Sequence, residues 1–318
     1  MIGLAVTRDG IPVRAWCWPG NTADSALIRQ VKADMRESVL GRIIRVADRG
    51  FSSKENRRFL QRGAGGYIIG EKLRSESPHV KAALSRQGRY QQAAGNLQVK
   101  EVRIADAADR FVICYNPDAA VRDAAARADL IAKLDETIAG SDQLSAIKRA
   151  ELRGKISAMP GLNRFLRVTP GGLLRVDKTQ AKAEENLDGK YLLRCADPTL
   201  TPEDIALGYK QLLEVERGWR DMKSVLDLRP VYHRLEERIR AHVLLCWLAL
   251  LLVRVAENQA GQTWPAMRRE LDRIHLGTFT GPAGTFQQRT ELAKPARDLL
   301  AKFSIDQPRK IHELTPAT

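Results

Sequence analysis

No two of the four cysteines form a Cys-x-x-Cys pair; Cys17, Cys114, Cys195 and Cys246 are scattered through 318 residues. That spacing offers no zinc ribbon or disulfide framework and fits a reducing cytoplasm. Glycine signatures fail as well. The stretch GAGGYIIGEK at 63–72 lacks the Gly-Lys-Ser/Thr ending of a phosphate loop and the third glycine of a dinucleotide site. No secretory signal opens the chain. The longest apolar run, Val243 to Val253, falls short of the ~20 residues that span a bilayer, so a soluble protein is expected. Internal repeats and low-complexity segments are absent too.

What the chain has is positive charge. Lys and Arg number 52 against 38 Asp and Glu, a formal net charge of +14. Such a surplus points to a polyanionic partner, most simply nucleic acid. A basic but otherwise ordinary soluble protein is the alternative. At this length one large domain or two smaller ones can bury a core.

The first 72 residues read as hairpin, helix, strand, helix, strand, a mixed α/β core. IGLAVT and IPVRAWCW are β-rich runs joined by an Asp-Gly turn. After PGN, Thr22 can cap a helix from Ala23 to about Arg36, with Leu27, Ile28, Val31 and Met35 as its buried stripe. RIIRVA is a buried strand ending at Asp48; a short helix near Lys54 to Gln61 and the strand GYIIGEK follow. From 73 to 187 the texture changes to polar strand-like pieces (97–104, 111–115) and a charged helical stretch from Ala119 to about Ile156, an α+β insertion. The core resumes over 188–256. DGKYLLRC is a turn and strand, and Thr201, Pro202 and Asp204 start a helix expected to reach about Leu226. A second helix, Leu235 to about Ala256, begins amphipathic and becomes apolar all round, so burial is expected. The tail, 257–318, reads as short helices. Trp16 and Trp18 share one strand face and read as core, and His233 and His242 have no metal-ligand spacing.

Two places could carry chemistry. Asp48, in VADRGF, lies at the carboxyl end of a buried strand, where α/β sheets gather their sites. Taken alone it could equally cap the next turn. In YKQLLEVERGWRDMK the residues Tyr209, Glu216 and Lys223 recur every seven positions. On one helix that spacing forms a row drifting by only ~20° per step, with about 10 Å between neighbours at ~1.5 Å of rise per residue. Arg220 could pair with Glu216 in a surface (i, i+4) contact. Leu212, Leu213, Val215 and Trp219 nevertheless make the surroundings apolar, and a half-buried carboxylate needs a partner such as a divalent cation. Lys223 and Tyr209 could be a snorkelling lysine and an amphipathic tyrosine. Carboxylates from separate elements can also hold paired Mg²⁺ ions for phosphodiester chemistry, with Lys223 as a point charge toward phosphate.

These residues resemble a known family. Tyr209-x₂-Leu212-x₃-Glu216-x₆-Lys223 is similar to the tyrosine–arginine–glutamate–lysine signature of transposases of the insertion-sequence-four superfamily. Asp48-x-Gly50-Phe51 resembles their second-aspartate motif, PGNTAD at 19–24 a stretch after their early strands, and LDLRPVYHRLEERIRAHVLLCWLALLL the segment beyond their glutamate. The resemblance implies an RNase H-like mixed sheet flanked by helices, interrupted by an insertion and followed by a helical C-terminal tail. It implies Asp48 and Glu216 as ligands of Mg²⁺ or Mn²⁺, with Tyr209 and Lys223 in support. The implied reaction is cleavage and transfer of DNA strands at element ends. The implied partners are double-stranded DNA (element ends and target) and a second copy in a homodimer, in the bacterial cytoplasm at the nucleoid and not at a membrane.

The sequence departs from that pattern twice. Leu212 stands where the signature has arginine. The family's first aspartate lies on a strand preceding IGLAVT, and Asp9, in a hairpin turn, cannot replace it. The expectation is an RNase H-like sheet missing its first strand, in an N-terminally truncated chain inactive by itself. Two other readings stay open: a non-catalytic basic fragment that binds DNA or inhibits a full-length transposase, and an RNase H-like nuclease of repair or RNA processing.

Overall fold

The computed structural model describes residues 1–22, 24–35, 44–62 and 66–316. In chain order, β1 (Ile2–Val6) and β2 (Pro12–Cys17) precede α1 (Asp24–Asp34), β3 (Ile44–Ala47), a 3₁₀ turn at Arg49–Phe51, α2 (Lys54–Gln61) and β4 (Gly66–Glu71). The sequence-predicted helix ends Ala23 and Arg36, and the start of the RIIRVA strand, lie outside the described residues. Then come α3 (Pro78–Ser85), β5 (Gln91–Ala94), β6 (Leu97–Val102), β7 (Arg110–Tyr115), α4 (Pro117–Ile138), α5 (Ala146–Ser157) and α6 (Pro160–Asn163). The hairpin β8 (Leu166–Val168) and β9 (Leu174–Val176), α7 (Lys178–Glu185), β10 (Lys190–Cys195), α8 (Pro202–Lys210) and α9 (Leu212–Ser224) follow. The chain closes with α10 (Glu236–Ala260), α11 (Trp264–Leu271), β11 (Leu276–Gly281), β12 (Gly284–Arg289), α12 (Lys294–Lys302) and β13 (Ile311–Pro316).

Contacts divide the chain into two compact units, one of residues 23–212 and one of 1–22 with 213–318. The first is built on a six-stranded mixed sheet of order β3-β4-β10-β7-β6-β5. β3 runs parallel to β4 and the remaining neighbours are antiparallel. β4 is buried along its whole length, as a central strand covered on both faces should be. Ile68, Val112, Cys114, Leu193 and Cys195 point to one face, under Ile205, Ala206 and Tyr209 of α8. The opposite face carries Tyr67 and Ile69 against Ile28 of α1 and Leu60 of α2, and Phe111, Ile113 and Leu192 against α3. This is the mixed sheet flanked by helices expected of an RNase H-like fold. β5, β6 and β7, from the stretch of altered texture, extend that same sheet. α4 to α7 and the β8–β9 hairpin form a separate small core on Leu134, Ile156, Phe165 and Leu174. The charged helical stretch expected over 119–156 is present as α4 and α5, parted where Gly140 takes a left-handed φ of 70°.

In the second unit β1 and β2 pair only with each other among the described residues. Their Ile2, Leu4 and Cys17 pack on Met222 of α9 and Val243, Cys246 and Leu250 of α10. Trp16 is buried, as expected of a core residue, and stacks at 5.8 Å on Trp18, which is only half-buried. His233 and His242 meet edge to face at 5.7 Å.

Three expectations are corrected here. α10 is not buried all round: Leu245 is 65% and Leu252 71% exposed. Helical periodicity can place only one side of a lone helix on a two-stranded hairpin, however apolar the other side is. Contrary to the expectation from the run Val243 to Val253, α10 is long and apolar enough to cross a membrane; its packed side carries buried Arg254 and Glu257. The tail is not only helical, since β11, β12 and β13 form an antiparallel sheet with Phe279 stacked on Phe286.

Candidate active site

The helix expected to carry Tyr209, Glu216 and Lys223 in one row is interrupted. The capping box starts α8 as expected, with the Thr201 hydroxyl accepting from the Asp204 amide and the Asp204 carboxylate accepting from the Thr201 amide. At Gln211 the backbone stays helical in its angles, yet its amide bonds to the Gly208 carbonyl three residues back. This tightened 3₁₀-type turn ends α8, and α9 restarts at Leu212. Glycine at 208 adds little helical preference to resist it. Tyr209 therefore belongs to α8, in the unit of residues 23–212, while Glu216 and Lys223 belong to α9, in the other unit.

Asp48 follows β3 directly and is exposed. One carboxylate oxygen accepts a hydrogen bond from the Tyr209 hydroxyl at 2.9 Å. A contact across 161 residues thus ties the aspartate motif to the first residue of the glutamate signature. Tyr209 is held from both sides of its ring edge: α8 packs it on the sheet, and its ring stacks on Tyr191 of β10 at 5.8 Å. Burial raises the Tyr209 phenol above its ordinary pKa, and the neighbouring Asp48 charge and hydrogen bond raise it further. The phenol is therefore protonated, a donor, throughout the neutral range. Beneath it lies Gly70 of β4; a Cβ built there would stand 2.4 Å from the Tyr209 hydroxyl oxygen. On the other face of β4, Glu71 sits 2.7 Å from Arg194 and 3.7 Å from Arg57. Burial raises the Glu71 carboxyl pKa despite those cations.

On α9, Glu216 is exposed rather than half-buried. It forms no hydrogen bond or ion pair among the described residues, the Arg220 contact included. The apolar residues around it in sequence are distributed elsewhere: Trp219 packs beside Met222 and Leu226, whereas Leu213 is 59% exposed. Lys223 is exposed, with its ammonium 5.9 Å from the centre of the Trp219 ring. The helix is anchored by Asp221 instead, which meets buried Arg254 of α10 at 2.7 Å.

Sequence reasoning singled out Asp48 and Tyr209 but missed Gly70 and Tyr191, which shape the space between them. The available signal was a lone glycine inside a strand pattern, which often marks a close approach of another group.

β3, which delivers Asp48, is an edge strand with Ala47 as its one buried residue, not the buried strand expected from the sequence, because no neighbour covers its outer side among the described residues. The chain matches the Transposase DDE domain over residues 4–252 and belongs to that family. No curated protein and no solved structure matches it. The family as a whole acts in DNA transposition and in general uses divalent metal ions. The residues here fit such an ion only in part. Asp48 and Glu216 offer exposed oxygen donors of the hard kind that Mg²⁺ and Mn²⁺ prefer. No group of three or more His, Cys, Asp or Glu side chains able to hold a metal occurs among the described residues.

Proposed function

We propose that this chain is a transposase polypeptide that binds the ends of an insertion element and takes part in metal-dependent cleavage and transfer of DNA strands. Asp48 and Glu216 are its acidic residues. Tyr209 orients the Asp48 carboxylate, and Lys223 meets a DNA phosphate. The observation that carries this reading is the 2.9 Å hydrogen bond from Tyr209 to Asp48, which joins two motifs read independently from the sequence. The net charge of +14 supplies the attraction for duplex DNA. Assignment to the insertion-sequence-four superfamily, and action as a homodimer, belong to the same proposal and rest on the motif resemblance.

Two carboxylates are fewer than the reaction needs. The 318 residues alone are expected to bind duplex DNA without cutting it, and cleavage is expected once a third carboxylate is supplied. The test incubates labelled element-end duplex with the protein and Mg²⁺ or Mn²⁺, and measures Mn²⁺ binding to wild type and Glu216→Gln. Glu216→Gln should weaken Mn²⁺ binding about tenfold or more, because it removes a charged oxygen ligand. Robust cleavage by the 318 residues overturns the requirement for a third carboxylate. Unchanged Mn²⁺ affinity in Glu216→Gln overturns the site.

The lack of a three-ligand group among the described residues favours a second reading, a DNA-binding fragment that inhibits an active transposase. On that reading Glu216→Ala leaves both DNA binding and inhibition intact.

A further inference from the structure

The Tyr209 hydroxyl reaches Asp48 through a space that almost any side chain on β4 would fill. β3 and β4 run parallel with Ala47 opposite Ile69, so Asp48 and Gly70 follow as the next step on each strand. Both lie toward the sheet face that α8 covers, where Gly208 passes over Ile68 and Tyr209 over Gly70. A methyl group at Gly70 would stand 2.4 Å from the Tyr209 hydroxyl oxygen, 3.0 Å from its Cζ and 3.3 Å from the Arg49 backbone nitrogen. Gly70 has no positive φ, so the backbone itself does not call for glycine. Space does. The ring cannot simply swing away, because one side stacks on Tyr191 and the residue is packed against the core beneath α8.

We propose that Gly70 is a positioning residue: its missing side chain is the clearance that lets the Tyr209 phenol reach and hold the Asp48 carboxylate. The proposal rests on the reading of Asp48 as a catalytic carboxylate and extends it. A carboxylate at a strand end with a single donor on one oxygen keeps the other oxygen free in a fixed direction. Without the donor it rotates about its side-chain bonds, and the reacting geometry is diluted.

The experiment uses the full chain labelled with ¹³C at tyrosine Cζ, whose resonance reports the hydrogen bonding of each phenol. Tyr209→Phe identifies the Tyr209 signal by its loss. Asp48→Ala gives the position of that signal without its acceptor. Gly70→Ala is expected to move it in the same direction as Asp48→Ala; a signal that stays at the wild-type position overturns the proposal. A thermal-unfolding cycle guards against simple misfolding. Gly70→Ala should lower the midpoint by about 4 °C as an overpacked site does. In the Tyr209→Phe background, with the clashing oxygen gone, it should lower it by less than about half as much. An equal loss in both backgrounds overturns the proposal, because the added methyl would then be clashing with something other than the hydroxyl. Neither readout depends on DNA cleavage. If Asp48→Asn binds Mn²⁺ as tightly as wild type, the catalytic reading of Asp48 fails, and with it the role of Gly70 in the reaction. The resonance and midpoint results would still decide the clearance.

Discussion

Burying a lysine ammonium is costly unless its three protons are matched, and Lys32 matches them with backbone. It is 5% exposed, and its Nζ donates to the carbonyls of Phe59, Leu60 and Arg62 at 2.7, 2.9 and 2.6 Å. Those carbonyls belong to the last turn of α2 and its end, where the Phe59 carbonyl also accepts from the Arg62 amide and the helix dipole is negative. Lys32→Met keeps the aliphatic stem but removes the donor. It should destabilise the unit of residues 23–212 by about 2–3 kcal/mol, the range for hydrogen bonds to a charged group. Denaturant unfolding followed by circular dichroism measures it, and an unchanged midpoint would show that water serves those carbonyls equally well. Nothing in the sequence singles out Lys32. Periodicity assigns Leu27, Ile28 and Val31 to the packed side of α1 and leaves a lysine beside them to be read as surface. Asp48 and Tyr209 were legible because a strand-end acid and a motif spacing mark them. Their hydrogen bond joins residues 161 apart in sequence, and the glycine beneath it depends on the register of β3 on β4 and on where α8 crosses that sheet.

At the scale of elements, apolar patterning located β4, α2, β10 and the start of α8 closely, because each has a buried stripe or run and a cap or turn at its end. It failed where neighbours decide. The interruption at Gln211 hangs on one hydrogen bond choosing a partner three residues back rather than four. The β11–β12 hairpin was overlooked although Thr278-Phe279-Thr280 alternates and Phe286 faces Phe279 across the pair. α10 shows why composition misleads. Its packed side carries Arg254, 1% exposed, which pairs with Asp221 of α9 and with Glu257 one turn on. Glu257 in turn accepts from Arg217 and from the Trp264 amide at the start of α11. The cluster ties three helices of the second unit together. Arg254→Met should cost about 3–5 kcal/mol, since removing one member of a buried ion pair strands the others. The loss should be visible as early melting of α9 to α11 in hydrogen exchange. Replacing Arg254, Asp221 and Glu257 together by apolar residues of similar volume should recover part of it.

At the scale of the whole molecule charge was the most legible property, and its consequence is direct. With 52 basic residues against 38 acidic, duplex DNA of any sequence should bind at low salt. The logarithm of the binding constant should fall linearly with that of salt concentration, by about 0.9 per phosphate neutralised. Lys223→Ala should make the slope shallower by about one if that ammonium meets a phosphate. Fluorescence anisotropy over a salt series checks it, and an unaltered slope would remove Lys223 from the interface.

A second global property was not legible, because it arises from burial. Tyr67, Tyr90, Tyr191 and Tyr209 all lie in the unit of residues 23–212, and all have phenols raised above the ordinary value, with burial the largest cause. An unfolded chain releases those protons near pH ~10, while the native unit retains them. The unfolded state then binds fewer protons than the native one, so stability falls as pH rises. The stabilisation is fully present below about pH 10 and is lost as the pH climbs toward the raised native values. Tyr67 is the cleanest probe, being 0% exposed with its hydroxyl beside Asp109. Tyr67→Phe should reduce the loss between about pH 10 and 12 by at most about 1.4 kcal/mol per pH unit, one proton's worth. Below pH ~9 the same substitution should leave the pH dependence of unfolding unchanged. Urea unfolding at intervals across this range, followed by far-ultraviolet circular dichroism, gives both slopes. An identical alkaline slope in wild type and Tyr67→Phe would mean that Tyr67 ionises in the native unit as readily as in the unfolded chain.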